Sequence, residues 1–178
     1  MPVKPSHEWP DFWPQERDII YRPERIRYVR KAVQFEGCVF CKARDSGVQM
    51  ESLCVYKNEV AMVVLNKFPY NTGHIMVLPI RHCGDLTELR DDEYSALQDL
   101  VRTTVKIIKV EYGVDGINIG LNMGRVAGAG IPEHIHWHVV PRWVGDTNFF
   151  PLLAETKVLP ETLEQTYARY AKHFEKVK

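Results

Sequence analysis

The run His134-Ile135-His136-Trp137-His138-Val139-Val140-Pro141-Arg142 constrains this chain more than any other segment. It reads as a strand over 134–142, because apolar and polar positions alternate and the apolar ones are β-branched or aromatic. Successive side chains of a strand point to opposite faces, so His134, His136 and His138 share one face, each roughly 7 Å from the next. Ile135, Trp137 and Val139 then face a core. Three of the chain's seven histidines fall within five residues, on one side. That is too concentrated for an ordinary solvated face.

Imidazole is the commonest metal ligand, which makes metal binding the first chemistry to weigh. Residues i and i+4 of a strand stand about 13 Å apart, too far for a single ion with bonds to nitrogen near 2 Å. Nucleophilic catalysis suits the pattern better. A neutral imidazole, with its ordinary pKa near 6.5, carries a lone pair that attacks, and its neighbours on the same face supply a donor to the leaving group. The loop Gly124–Gly130, rich in glycine and alanine, leads into the strand. Small residues there let backbone N–H groups approach an anion. Attack on phosphorus follows from the two features together. Neither G-x-x-x-x-G-K-[S/T] nor a strand-borne G-x-G-x-x-G occurs, which excludes the P-loop and dinucleotide-fold alternatives.

The rest of the chain suits one globular domain with trimmings. It has 178 residues, 45% of them hydrophobic and 26% charged. Lys+Arg and Asp+Glu both number 23, so bulk charge gives no means of coating nucleic acid or an anionic membrane. No run approaches the roughly 18 apolar residues of a membrane span, and the start, Met1-Pro2-Val3-Lys4-Pro5, is polar. The expected location is the cytoplasm. Four cysteines (38, 41, 54, 83) fit a reducing compartment rather than a disulfide framework.

Along the chain, Trp9, Phe12, Trp13 and Tyr21 mark an aromatic extension lying over the core. Pro23, Ile26, Val29 and Val33 suggest a short helix ending near Gly37. Leu53–Lys57 and Glu59–Asn66 read as a hairpin turning at Asn58, and His74–Ile80 as a third strand. Acidic residues at 91–93, apolar residues at 94, 97, 101, 105, 108 and 112, and Gly113 delimit a long helix. Gly116–Asn122 alternates as a strand, with Ile117, Ile119 and Leu121 on one face. A last helix is expected over Pro160–Lys178, with Leu163, Tyr167, Tyr170 and Phe174 as its apolar stripe. The predicted class is α+β: an antiparallel sheet of about five strands, a long helix, and flanking N- and C-terminal helices.

On these residues a resemblance can be stated. His134-Ile-His136-Trp-His138-Val-Val resembles the H-φ-H-φ-H-φ-φ signature of the histidine-triad (HIT) superfamily of nucleotide hydrolases and transferases. Asn71-Thr-Gly-His74-Ile-Met-Val-Leu-Pro is similar to that family's P-G-H-φ-L-φ-φ-P strand, and the match runs from about Cys38 to Arg142. Gly124–Gly130, with Pro141-Arg-Trp143-Val-Gly-Asp-Thr-Asn148-Phe, looks most like the bacterial diadenosine tetraphosphate phosphorylase type. The resemblance implies a HIT-like fold and makes His136 the nucleophile, forming a nucleotidyl–histidine intermediate. It makes His138 the group that hydrogen-bonds the transferring phosphoryl group or leaving oxygen. Asn66 matches a ribose-binding position, Asn122 a further substrate contact in a loop one residue longer than usual, and His74 a histidine behind the active site. Many hydrolytic members carry Gln four residues before the first triad histidine; here that position is Gly130, which leaves room for an acceptor other than water. Phosphorolysis of diadenosine tetraphosphate to ADP and ATP is the favoured expectation. Hydrolysis of dinucleoside polyphosphates or nucleoside phosphoramidates is its alternative.

Cys38-x-x-Cys41 suits a metal or a redox dithiol, and a thioredoxin-like site would need the pair to open a helix inside a βαβ unit. Two sulfurs need two more ligands for zinc. Family members with this C-x-x-C use a later histidine and the first triad histidine, which implies structural zinc on Cys38, Cys41, His82 and His134. Cys54 and Cys83 read as ordinary buried thiols. Arg125 is kept as a phosphate contact because it lies in the glycine-rich loop; Lys67, Arg81 and Arg142 are weaker candidates, as are Trp143 and Phe149 for stacking on adenine.

The division expected is 1–36 as an extension, 37–150 as the HIT catalytic domain and 151–178 as a C-terminal helical extension on it. Expected partners are adenine nucleotides or dinucleoside polyphosphates, with phosphate or water as acceptor. A homodimer or larger homo-oligomer is expected, and neither nucleic acid nor membrane. Two other classes stay open: a nucleotide-binding module without turnover, and a redox or metal sensor centred on Cys38 and Cys41.

Overall fold

A computed structural model describes residues 37–146 and 159–177. The aromatic extension, the helix expected after Pro23, and Asn148 and Phe149 lie outside the described residues. Five strands form one sheet: β1 (Cys54–Lys57), β2 (Ala61–Leu65), β3 (Ile75–Pro79), β4 (Gly116–Leu121) and β5 (Trp137–Arg142). Their spatial order is β1-β2-β3-β5-β4, and every pairing is antiparallel. Among the described residues three α-helices accompany it, α1 (Val39–Ser46), α2 (Asp91–Tyr112) and α3 (Leu163–Phe174). The α+β class and the five-stranded antiparallel sheet are as the sequence predicts.

Local chemistry explains the turns. Asn58 closes the β1–β2 hairpin by accepting the backbone N–H groups of Val60 and Ala61 on its side-chain oxygen (2.9 and 2.8 Å). The long helix α2 occupies the predicted span. Glu93 accepts the Arg90 backbone N–H at its start (3.0 Å), and Gly113 ends it in the left-handed region at φ 55°. Helix α1 is not anticipated from sequence. It is only two turns long, and Cys38 stands at its N-cap.

Both faces of the central strands are covered, which is why β2 and β3 are apolar at every position. On one face, Val63, Leu65, Ile75 and Val77 pack with Leu97 and Ile108 of α2 and with Tyr170 and Phe174 of α3. On the other face, Met62, Val64, Met76 and Leu78 pack with Phe40 of α1. Helix α3 is tied down by two hydroxyls: Tyr170 donates to the Gly73 carbonyl (2.6 Å) and Tyr167 to that of Cys54 (3.2 Å). Among the described residues no helix is long and apolar enough to cross a membrane.

The last strand is shorter than expected. It begins at Trp137, so His134, Ile135 and His136 form an extended lead-in. Ile135 donates its N–H to the Cys83 carbonyl (2.7 Å) instead of to β3, and Pro132, just upstream, has no N–H to give. Gly84 permits this course: a Cβ there would stand 2.7 Å from the Pro132 carbonyl oxygen.

Candidate active site

Alternation survives through the lead-in. Ile135, Trp137 and Val139 are buried in the helix-side core, and the histidines between them face the other way. His134 is 0% and His136 4% exposed, while His138 is half-buried. Pairing of β5 with β3 sets His138 opposite Met76, which brings it beside His74, the residue preceding β3.

Hydrogen bonds assign the protons. His136 Nδ1 lies 2.8 Å from the carbonyl oxygen of His134, and only a protonated nitrogen bonds there. Its Nε2 is therefore left with the lone pair. The Tyr70 backbone N–H donates to His74 Nδ1 (3.0 Å), so a neutral His74 carries its proton on Nε2. That proton points at His138 Nδ1 (3.0 Å), which leaves the His138 hydrogen on Nε2. Adjacent rings, with centroids 4.9 Å apart, thus present one lone pair and one N–H. Burial lowers the pKa of His136. Burial first, and the nearby His136 second, bring His138 down to about 4. Both are neutral imidazoles at neutral pH, the form in which a histidine nucleophile attacks.

His134 turns away from this pair. Its Nε2–H donates to the Pro79 carbonyl (2.8 Å), leaving Nδ1 as the acceptor. Nδ1 stands 3.4 Å from Cys38 Sγ and 3.8 Å from Cys41 Sγ, and Cys41 Sγ is 3.4 Å from His82 Nδ1. The ligating atoms of Cys38, Cys41, His82 and His134 all lie within 4.8 Å of one another. In a tetrahedral zinc site, bonds of about 2.3 Å to sulfur and about 2.0 Å to nitrogen set sulfur and nitrogen about 3.5 Å apart. The donor set and its spacing fit a closed structural metal site. The cysteine pair does open a helix, but the wholly antiparallel sheet offers no βαβ unit for a thioredoxin-like dithiol. Cys54 and Cys83 are buried and donate to the carbonyls of Tyr56 and Asp85.

The remaining predicted residues divide. Asn66 follows β2; its side-chain oxygen accepts the Phe68 N–H (2.9 Å) and its amide nitrogen is 3.5 Å from His74 Nε2. Asn122 lies beneath the glycine-rich loop, 3.8 Å from where a Cβ on Gly128 would sit. Arg125 is exposed and pairs with Glu133 (3.2 Å), the residue before His134. Gly130 is exposed, and a Cβ there meets nothing within 4 Å. Arg81 is held by Glu93 and the Glu88 carbonyl, and Arg142 by Asp146 and Asn118, so both are fastened into the scaffold. Trp143 packs on Tyr112 at the end of α2. Sequence reasoning missed two aromatic rings. Phe40 abuts His134 and His136 (5.5 and 5.0 Å between centroids), a neighbour implied by its place inside the C-x-x-C. Tyr70 lies against His74 and His138 (4.6 and 5.6 Å), and nothing in its local pattern marks it.

Known proteins resemble this chain in sequence and fold. An AP-4-A phosphorylase of Mycobacterium tuberculosis is 41% identical over 116 residues, covering 65% of this chain; the chain spans 60% of that protein's length. An uncharacterized HIT-like protein of Methanocaldococcus jannaschii is 38% identical over 109 residues, 61% of this chain and 81% of its own. Among solved structures, a hypothetical histidine triad nucleotide-binding protein from Sulfolobus tokodaii superposes with a TM-score of 0.64 at 27% identity, over 79% of this chain and 94% of that one. Residues 48–144, more than half of the sequence and all of the histidine segment, match the HIT domain, and the chain belongs to that family.

Proposed function

We propose that the protein is a nucleotidyl transferase that cleaves diadenosine tetraphosphate with phosphate, giving ADP and ATP. The observation that carries the reading is the pairing of proton positions on His136 and His138. His136 Nε2 attacks the α-phosphorus; the new N–P bond forms as the bond from phosphorus to the bridging oxygen breaks, and ATP leaves. The His134 carbonyl, already bonded to His136 Nδ1–H, stabilises the positive charge that grows on the ring. His138 Nε2–H donates a hydrogen bond to the departing oxygen. A phosphate oxygen then attacks the adenylyl group from the vacated side, the N–P bond breaks, and ADP is released with a free histidine. Gly130 favours phosphate over water as the acceptor because the space beside it is open. The similarity to an AP-4-A phosphorylase supports the same substrate class. Asn66 and Asn122 serve the nucleoside, and Arg125 the phosphates once released from Glu133.

The metal is zinc in this reading. Cys38, Cys41, His82 and His134 would hold it, and its contribution is to brace the lead-in. No step of the reaction passes through it. Strand β4 borders only β5 among the described residues and shows Ile119 at 49% exposure, so we assign that edge to a second copy in a homodimer.

The deciding experiment follows products with and without phosphate. ADP and ATP formed only with phosphate support the reading; AMP and ATP formed regardless would establish hydrolysis. His136→Asn should lose at least about a thousandfold in kcat while still binding AMP, and the wild-type protein should trap an adenylated His136 detectable by mass spectrometry. Native turnover by that variant overturns the mechanism.

A further inference from the structure

The nucleotide chemistry above accounts for the half of the substrate that is transferred to His136. A dinucleotide has a second nucleoside, on the leaving polyphosphate, and the next surface outward from His138 is aromatic. Tyr70 stands 5.6 Å from the His138 ring, at a tilt of 33°, and is 54% exposed. Phe68, two residues earlier on the same loop, is 66% exposed. Lys67, which precedes them, lines instead a cavity shared with Leu163 and Thr166 of α3.

Exposed aromatic rings on a floppy loop would mean little, but this loop is fastened from within. The Asn66 side chain accepts the Phe68 N–H, and His74 Nδ1 accepts the Tyr70 N–H (2.9 and 3.0 Å). The Asn66 N–H donates to the His74 carbonyl and the His74 N–H to that of Asn71, while the buried Asn71 amide donates to the Pro141 carbonyl and to Asp146. Pro69 fixes its own φ between the two rings. The two bonds that hold Phe68 and Tyr70 end on Asn66 and His74, which border the reacting histidines. Ring order therefore runs from His136 to His138 to Tyr70, from a buried ring to one that is 54% exposed.

We propose that Phe68 and Tyr70 form the subsite for the leaving half of the substrate, stacking its purine base. This rests on the activity assigned above and extends it to the second nucleoside. Stacking suits the task because it tolerates either purine and, without hydrogen-bond readout, grips loosely enough to let the product go. Rigid presentation lowers the ordering cost of binding.

The test is equilibrium binding by calorimetry with two probes, AMP and a diadenosine tetraphosphate analogue carrying α,β-methylene bridges that prevent turnover. Wild-type protein is compared with Phe68→Ala, Tyr70→Leu and the double variant. Selective weakening of the analogue by about tenfold in the double variant, with AMP changed less than about twofold, is the expected result. Equal weakening of both probes, or none of the analogue, overturns the subsite. The activity reading is judged apart. Wild-type protein that binds both probes but forms no products overturns that reading, and the ratio of affinities still decides the subsite. A double variant that forms ADP and ATP at native kcat/KM overturns the subsite alone.

Discussion

At the residue scale, the proposed choice of acceptor rests on the side chain missing at Gly130. The position is four residues before His134, exposed, and free of neighbours within 4 Å of an added Cβ. Its φ lies outside the left-handed region, so a larger residue fits without backbone strain. Under the proposed mechanism, Gly130→Gln would add an amide able to hold an attacking water. With phosphate present, the share of AMP among products should rise at least about tenfold, as chromatography of the reaction mixture would reveal. An unchanged ratio of ADP to AMP removes Gly130 from the choice of acceptor. Arg125 belongs to the same scale: its pairing with Glu133 is exposed and therefore weak, so the proposed polyphosphate substrate would compete for it at little cost.

Among the elements, the contact of α2 with α3 is the most electrostatic. Glu111, near the end of α2, accepts from Arg169, Lys172 and His173 of α3, and these partners, Lys172 first, hold its carboxyl at about 2. A carboxyl depressed in the folded state stabilises fully above its ordinary value near 4.5, and that stability is lost as pH falls from there toward about 2. Urea midpoints of the wild-type protein should therefore drop between pH 5 and pH 2, with a smaller drop in Glu111→Gln; parallel profiles would show that Glu111 does not carry the effect. Elements of this kind were unevenly legible. The acid triplet at 91–93 and Gly113 mark both ends of α2 because each end is set by local chemistry. The expected strand bounds are one to three residues generous, since pairing partners decide where a ladder stops. Helix α1 escapes because two turns offer too few positions to show a period, although its N-cap, Cys38, is marked by the C-x-x-C. The histidine alternation announced the neighbouring rings of His136 and His138. The separate course of His134 depends on Cys83 and Pro79, which are distant in sequence. Tyr70 was illegible for the same reason.

For the whole molecule, metal content and assembly are the quantities to measure. Protein purified without chelator should carry about one zinc per chain by elemental analysis, and Cys38→Ser should lose most of it together with several degrees of thermal stability. Unchanged stoichiometric zinc in that variant removes the four-residue site. Ile119→Lys, which sets a charge on the open edge of β4, should shift the sedimentation of a dimer to that of a monomer without lowering its helix content. A monomeric wild-type protein refutes the assignment of that edge. The crossing at Gly84 reaches further than its size suggests. Nothing larger than hydrogen fits between its α-carbon and the carbonyl of Pro132, so any mutational library should return glycine alone at that point. Inactive clones recovered there would report crowding against the lead-in to the histidines, and a screen scored on turnover would mistake it for part of the chemistry.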